Sequence, residues 1–406
     1  MKIIVQKFGG TSVANEQTRE KVLEKIIGAV RQGYLPVVVV SAMGRRGDPY
    51  ATDTLLDLVR KTNPKVPRRE LDLLAVCGEI ISGVVLVAGL LERGLAASFL
   101  TGWQAGIITD DHFGDARILR VEPKRIRQLL ERNIIPVVAG FQGMTEAGEI
   151  TTLGRGGSDT TASALGVALN AEYIDIYTDV DGIMTADPRI VDKAKLLDVV
   201  TFNEICQLAQ EGAKVIHPRA VEIAMQKNIP IWVKNTFSEH PGTLVTGNQE
   251  AQGNNGVKRE RMITGIAHIA GITQVKVVLA QENGITEQYK IFHAMAEAGI
   301  SVDFINADPQ MVAFTVKDDL AEKAYSILAN LGYQVYLTPG CAKVAVVGAG
   351  MTGIPGVMAA IARALYREQI NILQSADSYT SIWVLVKNQD MERAIRALHT
   401  EFYLDQ

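Results

Sequence analysis

Ile3-Ile4-Val5-Gln6-Lys7-Phe8-Gly9-Gly10-Thr11-Ser12 is the stretch whose reading decides the fold. A short apolar run, Ile3 to Val5, leads into two adjacent glycines, and the segment from Gln17 to Arg31 then reads as a helix. Strand, glycine turn and helix aim backbone N–H groups and a positive dipole end at an anion. Glycines let the chain approach a phosphate with no Cβ in the way. Lys7 adds a movable charge and Ser12 a hydroxyl. Alone, so short a motif is equally well a tight turn with a solvated lysine.

The surrounding chain repeats the pattern. Ile3–Val5, Val37–Val40, Ala97–Leu100, Ile135–Ala139, Ile174–Tyr177 and Ile231–Val233 read as strands, with helical segments such as Leu71–Leu91 and Thr160–Leu169 between them. Nearly continuous apolar strands alternating with helices predict an α/β fold with a mostly parallel sheet covered on both faces. Ligands of such sheets collect at the carboxyl ends of strands. The polar and glycine-rich signals fall there: Lys7–Gly10, Ser41–Gly44, Gly140–Gly143 and Thr178–Gly182.

Composition narrows the class. With 406 residues, two or three domains are expected; 47% hydrophobic and 21% charged residues are ordinary for a globular core. A formal net charge of -4 argues against a general nucleic-acid binder. Cys77, Cys206 and Cys341 are far apart and odd in number, which favours buried thiols in a reducing compartment over disulfides or a zinc site. Three apolar residues before Gln6 are too few for a signal peptide. The run from Val84 to Leu91 falls short of the ~20 residues of a membrane span, so a soluble, cytoplasmic protein is expected.

From Thr246 to Arg261 the chain turns polar and rich in Gly, Asn and Gln, which predicts a linker over 247–261 after a first domain of 1–246. Beyond it the sequence repeats with a shift of 70 residues: Ile300-Ser301-Val302 aligns with Ile370-Asn371-Ile372, and Leu328 with Leu398. Two ferredoxin-like βαββαβ units, 262–338 and 342–402, are expected, with a final strand clear only in the first, Val335 to Leu337. Lys343–Gly353 also matches a strand followed by GxGxxG. Too little chain follows for a dinucleotide-binding half, and the other repeat lacks the glycines. A loop entering the helix after Pro355 is the better reading.

Further chemistry clusters in the first domain. Ser41-Ala42-Met43-Gly44 leaves a strand and is followed by Arg45, Arg46 and Asp48, then by Thr52 or Asp53 as a helix cap. Glu79 interrupts an otherwise apolar helix, where a carboxylate is costly unless partnered, so a cation beside it is expected. Arg155-Gly156-Gly157-Ser158-Asp159 again puts glycines at a helix start, with a guanidinium fork suited to carboxylate or phosphate. Two anion cradles imply two anionic ligands. No Walker, HRD, DFG or HExxH pattern occurs, and the six histidines are read as packing or surface groups. Phosphoryl transfer from a nucleotide is the reaction class that survives.

Lys7–Val13, Thr151–Thr160 and Tyr177–Gly182 together resemble the signatures of the aspartate kinase family, and the paired C-terminal units resemble its two ACT domains. The resemblance covers essentially the whole chain and is to the monofunctional form. It implies the amino-acid-kinase fold and ATP-dependent phosphorylation of the side-chain carboxylate of L-aspartate to 4-phospho-L-aspartate, which opens the route to lysine (through diaminopimelate), threonine and methionine. By position it implies that Lys7 stabilises the transferring phosphoryl group, and that Glu79 holds the aspartate amino group and orients Lys7. Asp159 would assist the lysine network and Mg²⁺. Thr52, Glu79, Arg155, Gly156, Gly157 and Ser158 would bind aspartate. Lys7, Phe8, Gly9, Gly10, Ser41, the loop Thr178, Asp179, Val180, Asp181, Gly182, Ile183, Met184, and Lys214 with Val215 would bind ATP. A carboxylate with a pKa of about 4 is already ionised near neutrality, so no general base is needed. The task is to hold it against a triphosphate, by placing positive potential where charge spreads in the transition state.

The same resemblance implies feedback inhibition by an end-product amino acid at paired ACT units across a homodimer interface. Ser301, Val302, Asp303 and Asn306, with Gln374, Ser375 and Asp377 in the second copy, are the candidate contacts. Gln374-Ser375-Ala376-Asp377-Ser378 departs from the Met-Ile-Ser-Thr-Ser run of lysine-inhibited relatives, which brings in diaminopimelate beside lysine and threonine. The competing readings are another enzyme of the same fold, such as glutamate 5-kinase or a nucleoside monophosphate kinase, and a non-catalytic amino-acid-sensing subunit. Lys7, Glu79, Arg155 and Asp159 are all present, which counts against a silenced site.

Overall fold

The computed structural model describes residues 2–213, 215–247, 262–279, 284–349, 351 and 354–406. The chain divides into two compact units, the first comprising 1–183, 196–210 and 214–259, the second 184–195, 211–213 and 260–406. Most of the expected linker, 248–261, lies outside the described residues.

The first unit runs β1 (Ile3–Phe8), α1 (Glu16–Arg31), β2 (Leu35–Val40), α2 (Thr52–Thr62), α3 (Arg68–Ala75), α4 (Cys77–Glu92), β3 (Ala97–Leu100), β4 (Ile107–Thr109), β5 (Ile118–Val121), α5 (Lys124–Glu131), β6 (Ile135–Ala139), β7 (Gln142–Thr145), β8 (Ile150–Thr152), α6 (Gly157–Leu169), β9 (Tyr173–Thr178), β10 (Val199–Thr201), α7 (Phe202–Gln210), α8 (Pro218–Met225), β11 (Ile231–Asn235) and β12 (Thr243–Thr246). Eight strands form one sheet in the order β10-β12-β11-β9-β1-β2-β6-β3. Every pairing in it is parallel except β11 with β12. The expected mostly parallel sheet is therefore observed, and β1, which leads into the glycine pair, lies in its middle. Its alternation divides the work: Phe8 packs on the α1 side with Val22, Leu23 and Ile26, whereas Lys7 reaches Asp159 on α6. Burying side chains of this size contributes about 1.5–3 kcal/mol each. A second sheet, β5-β4-β7-β8, carries the segment that enters α6.

Two local expectations are corrected. The cap of α2 is Ala51, extended and without a side-chain bond, so neither Thr52 nor Asp53 caps it. The segment read as one helix, Leu71–Leu91, breaks at Val76 into α3 and α4, which puts Glu79 in a first turn rather than mid-helix. Arg68–Glu92 is, by length and composition, apolar enough to cross a membrane. In the fold α4 packs on β3 and β6, burying Ser82, Gly83, Leu86 and Leu90.

The second unit holds β13 (Gly265–Val278), α9 (Gly284–Glu297), β14 (Asp303–Ala307), β15 (Met311–Lys317), α10 (Ala321–Asn330), β16 (Gln334–Val347), α11 (Val357–Arg367), β17 (Gln374–Asp377), β18 (Ser381–Lys387) and α12 (Met391–Glu401). Its sheet order is β14-β15-β13-β16-β18-β17, with all pairings antiparallel. Both repeats are present, but their division differs from 262–338 and 342–402. The central strands β13 and β16 are each fourteen residues long and each serves both copies. Gly265–Ala270 pairs with Ala342–Val347 and fills the place of the second copy's missing last strand. The second unit's apolar groups gather accordingly, Ile266 with Val344, Ile361, Leu365 and Leu398, and Val275 with Phe314, Ala324 and Leu328. Of the GxGxxG glycines, Gly348 donates to the Thr380 carbonyl and abuts the Met262 backbone; Gly350 and Gly353 lie outside the described residues.

Candidate active site

One cleft of about 380 Å³ in the first unit gathers the expected catalytic and aspartate-binding residues, Lys7, Thr52, Glu79, Arg155, Gly156, Gly157, Ser158 and Asp159, with Gly10 and Ser41 of the expected ATP residues. It lies where β1 and β2 end and α6 begins. The Ser41 N–H donates to the Phe8 carbonyl, Gly44 N–H to the Gly10 carbonyl and Gly9 N–H to the Tyr177 carbonyl, so the turns after β1, β2 and β9 are stitched together by backbone bonds. A Cβ on Gly10 would come within 2.8 Å of the Ala42 and Gly44 carbonyls, so only glycine fits this crossing.

Lys7 Nζ stands 2.6 Å from Asp159 Oδ1, both side chains mostly buried. Asp159 sits in the first turn of α6, where the helix dipole favours an anion. Gly156, the residue before that helix, has φ +70°, and a Cβ there would meet the His217 side chain at 2.3 Å. Gly156→Ala should therefore both clash and strain the backbone, the left-handed conformation alone costing about 1–3 kcal/mol. A lowered melting temperature together with a raised KM for the acid substrate is the expected outcome.

Glu79 is 3% exposed. Its Oε1 accepts the Ala42 N–H at 3.1 Å, and its Oε2 has no hydrogen-bond partner. Burial drives its pKa up to about 8, with backbone hydrogen bonds pulling the other way. The cation expected beside Glu79 is not found among the described residues: Lys7 is turned to Asp159 instead. A buried carboxylate oxygen is thus left unpaired on a side chain that lines the cleft. Arg155 is exposed and makes no ion pair among the described residues.

The cleft wall also holds Ala42, Gly44, Arg45, Arg46, Asp53 and Phe141, to none of which the sequence analysis gives a ligand-binding role. Arg45 pairs with Asp179 at 2.7 Å and Arg46 with Asp57 at 2.9 Å. A paired arginine beside a glycine turn was the available signal.

The expected ATP residues divide. Phe8 is fully buried and stacks on Tyr177 at 4.8 Å, so its ring is core and only its backbone borders the glycine pair. Thr178 ends β9, the strand next to β1, and Asp179 follows it. Asp181 accepts from Asn235 Nδ2 and Ser238 Oγ at 2.8 Å each, bonds that hold its carboxyl below the usual range. Ile183 is buried, its N–H bonded to Thr243 Oγ1, so its side chain packs rather than lining a ligand site. Val180 is exposed, Gly182 packs against Thr243, Met184 belongs to the second unit, and Val215 is half-buried. Lys214 lies outside the described residues.

In the second unit, Asp303 pairs with Lys343 at 2.7 Å, and Lys343 also pairs with Glu211 at 2.9 Å. Gln374 accepts from Gln274 Nε2 at 2.8 Å and donates to the Phe304 carbonyl. Ser301, Asn306, Ser375 and Asp377 are exposed and Val302 is half-buried. The two candidate groups lie on or beside β14 and β17, the outermost strands of the sheet.

Comparison with known proteins fixes what this cleft belongs to. Residues 2–235 match the model of the amino acid kinase family, and 336–400 match an ACT domain. Aspartokinase 1 of Bacillus subtilis is 54% identical over 404 residues, covering all of both chains. The chain belongs to the aspartokinases. A Thermus thermophilus aspartokinase is 40% identical over 417 residues, again covering both chains fully. Among solved structures, E. coli aspartokinase III in complex with aspartate and ADP superposes with TM-score 0.79 at 26% identity, covering 99% of this chain and all of that one. The same enzyme with lysine and aspartate gives 0.76, again at 26% identity, covering 99% of this chain and all of that one. The aspartokinase assignment makes the chain an ATP-dependent kinase of the aspartate side-chain carboxylate, with the fold and ACT units expected of it.

Proposed function

We propose that the cleft between the Lys7 turn and the Arg155–Asp159 loop is where aspartate and the ATP γ-phosphate meet. The observation that carries this reading is the convergence of Lys7–Asp159, the unpaired Glu79 oxygen and the α6 N-terminus on one wall-lined space. Glu79 Oε2 takes the aspartate ammonium, which supplies the partner this buried atom lacks. Arg155 takes a carboxylate, and the backbone of Gly156 and Gly157 with the Ser158 hydroxyl takes the rest, with Thr52 also in the cleft wall. Gly9, Gly10 and Ser41 cradle phosphates, with Phe8 contributing backbone only. Thr178, Asp179, Val180, Asp181, Gly182, Ile183, Met184, Lys214 and Val215 are retained as the nucleotide segment through their chain positions.

The carboxylate attacks unaided by a base. Lys7 neutralises charge on the transferring phosphoryl group, and Asp159 holds Lys7 in place. Mg²⁺ usually keeps several waters and arrives on phosphate oxygens with one or two protein carboxylates. Of the carboxylates lining the cleft, Asp53, Glu79 and Asp159, Asp159 beside Lys7 would be the one to meet such a nucleotide-borne ion. When bound, Mg²⁺ supplies charge neutralisation on the phosphates.

We assign effector binding to the second unit, at Ser301, Val302, Asp303 and Asn306 and at Gln374, Ser375 and Asp377, in a homodimer formed through the ACT units. The lysine complex of aspartokinase III supports an amino-acid effector; diaminopimelate, lysine and threonine are the candidates. Free Cys77, Cys206 and Cys341 support a cytoplasmic location. A coupled hydroxamate assay tests the reading: turnover with aspartate and little with glutamate is expected, with inhibition by one of the three effectors. Turnover with neither acid would leave a non-catalytic sensing subunit; turnover unaffected by all three would remove the sensor.

A further inference from the structure

A buried carboxylate and a half-buried guanidinium stand behind the Arg155–Ser158 loop and grip the same piece of backbone from different helices. Asp72, on α3, is 3% exposed and accepts from Thr152 N–H at 2.9 Å, from the Thr152 hydroxyl at 2.8 Å and from Gly114 N–H at 2.9 Å. Arg219, on α8, donates to the Leu153 carbonyl at 3.2 Å and the Ala116 carbonyl at 2.8 Å. Ala116 N–H closes the frame by donating to the Thr152 carbonyl at 2.8 Å. Residues 114–116 and 152–153 are thus tied to one another, clamped by an anion with three donors and a cation with two acceptors.

The clamp ends next to Gly154, where φ is +71° and a Cβ would lie 2.5 Å from Asp115 Oδ1. From there the chain passes directly into Arg155, Gly156 and α6. Neither Asp72 nor Arg219 lines the cleft. Asp72 also reaches its other wall through the chain: α3 runs through Val76 into α4, whose third residue is Glu79. Gln142, fully buried, fixes that junction by donating to the Val76 carbonyl at 3.2 Å. One carboxylate therefore sets the spacing between the Glu79 wall and the Arg155–Ser158 wall. Burial pushes the Asp72 carboxyl up, and its donors work against that shift, so the group is held by geometry that cannot slacken without cost.

We propose that Asp72 and Arg219 are positioning residues for aspartate, fixing the span between Glu79 and the Arg155–Ser158 loop and with it the length of acidic amino acid accepted. The inference rests on that loop being the aspartate site. Glutamate is longer by one methylene, a difference that pockets discriminate by roughly 10–200-fold.

The test uses the full-length enzyme with Asp72→Asn, Arg219→Gln, Arg219→Lys and, as the control on the loop itself, Ser158→Ala. Asn at 72 drops the charge and keeps both N–H bonds only by turning its amide nitrogen to the Thr152 hydroxyl, which must then accept, and Gln at 219 cannot span both carbonyls. For Asp72→Asn and Arg219→Gln, we expect KM for aspartate to rise about tenfold, KM for ATP to stay within about twofold, and the aspartate-over-glutamate ratio of kcat/KM to fall about tenfold. Arg219→Lys should recover part of each change. If Asp72→Asn does not fold, Thr152→Val removes one of its donors and carries the same readouts. Unchanged KM for aspartate and unchanged selectivity in folded variants, with Ser158→Ala raising KM, would overturn the positioning role. Ser158→Ala leaving KM unchanged as well would instead show that the loop is not the aspartate site.

Discussion

Replacing Lys7 with alanine is expected to lower kcat by about 10³-fold or more, the scale of removing a preorganised group from a developing charge. Aspartate binding should survive, because the groups assigned to it, Glu79, Arg155 and Ser158, are untouched. Lys7 is the cation that the cleft pairs with an anion of its own, Asp159, at 2.6 Å. That pair fixes the ammonium in a mostly buried position before substrates arrive, so little reorganisation is left for the reaction. Two anions must meet here, and without Lys7 their repulsion has no fixed counter-charge. Single-turnover kinetics with equilibrium binding of aspartate separates the two effects; near-normal kcat in the variant would remove Lys7 from the chemistry.

Glu79 carries the second large effect, and its sign can be worked out. The carboxyl has an ordinary pKa of 4.5 and is raised to about 8 in the folded, ligand-free protein. Between those values the folded state holds a proton that the unfolded state has lost. Stability contributed by Glu79 is thus fully present below about 4.5 and is lost as pH rises toward 8, levelling off above. Glu79→Gln should remove this dependence, leaving the variant more stable than the parent at pH 8 by on the order of a few kcal/mol. The same substitution should weaken aspartate binding by roughly 10–100-fold, since a buried ionic hydrogen bond is lost. An ammonium docking on Oε2 restores the charged carboxylate. Aspartate binding near pH 7 should therefore release about one proton from the parent and none from the variant. Calorimetry in buffers of different ionisation enthalpy measures this, and equal proton release in both would refute it.

The parts of the fold legible in the sequence were those written in local pattern. Continuous apolar strands followed by glycine turns located the β1, β2 and β9 ends that the structure brings together. The 70-residue repeat revealed two similar units, yet the last strand of the second comes from Gly265–Ala270, the first part of the strand that opens the first repeat. A strand borrowed across that distance leaves no periodic trace where it is used. Phe8 shows a different limit: its position in the glycine motif suggested nucleotide contact, while strand alternation turned its ring into the core. Glu79 was recognised as a costly carboxylate, but its open side could not be foreseen, because Lys7 had two carboxylates to choose between and took Asp159. Asp72 and Arg219 were invisible for a related reason: each acts on backbone far along the chain, through carbonyls and N–H groups that every residue has.

The most direct measurement is a crystal structure of the enzyme with aspartate and a non-hydrolysable ATP analogue. The aspartate ammonium is predicted within hydrogen-bond distance of Glu79 Oε2, its side-chain carboxylate near Lys7, and the terminal phosphate against Gly9–Gly10. Both ligands bound elsewhere, with the Lys7 turn and the Arg155–Asp159 loop touching neither, would contradict the account.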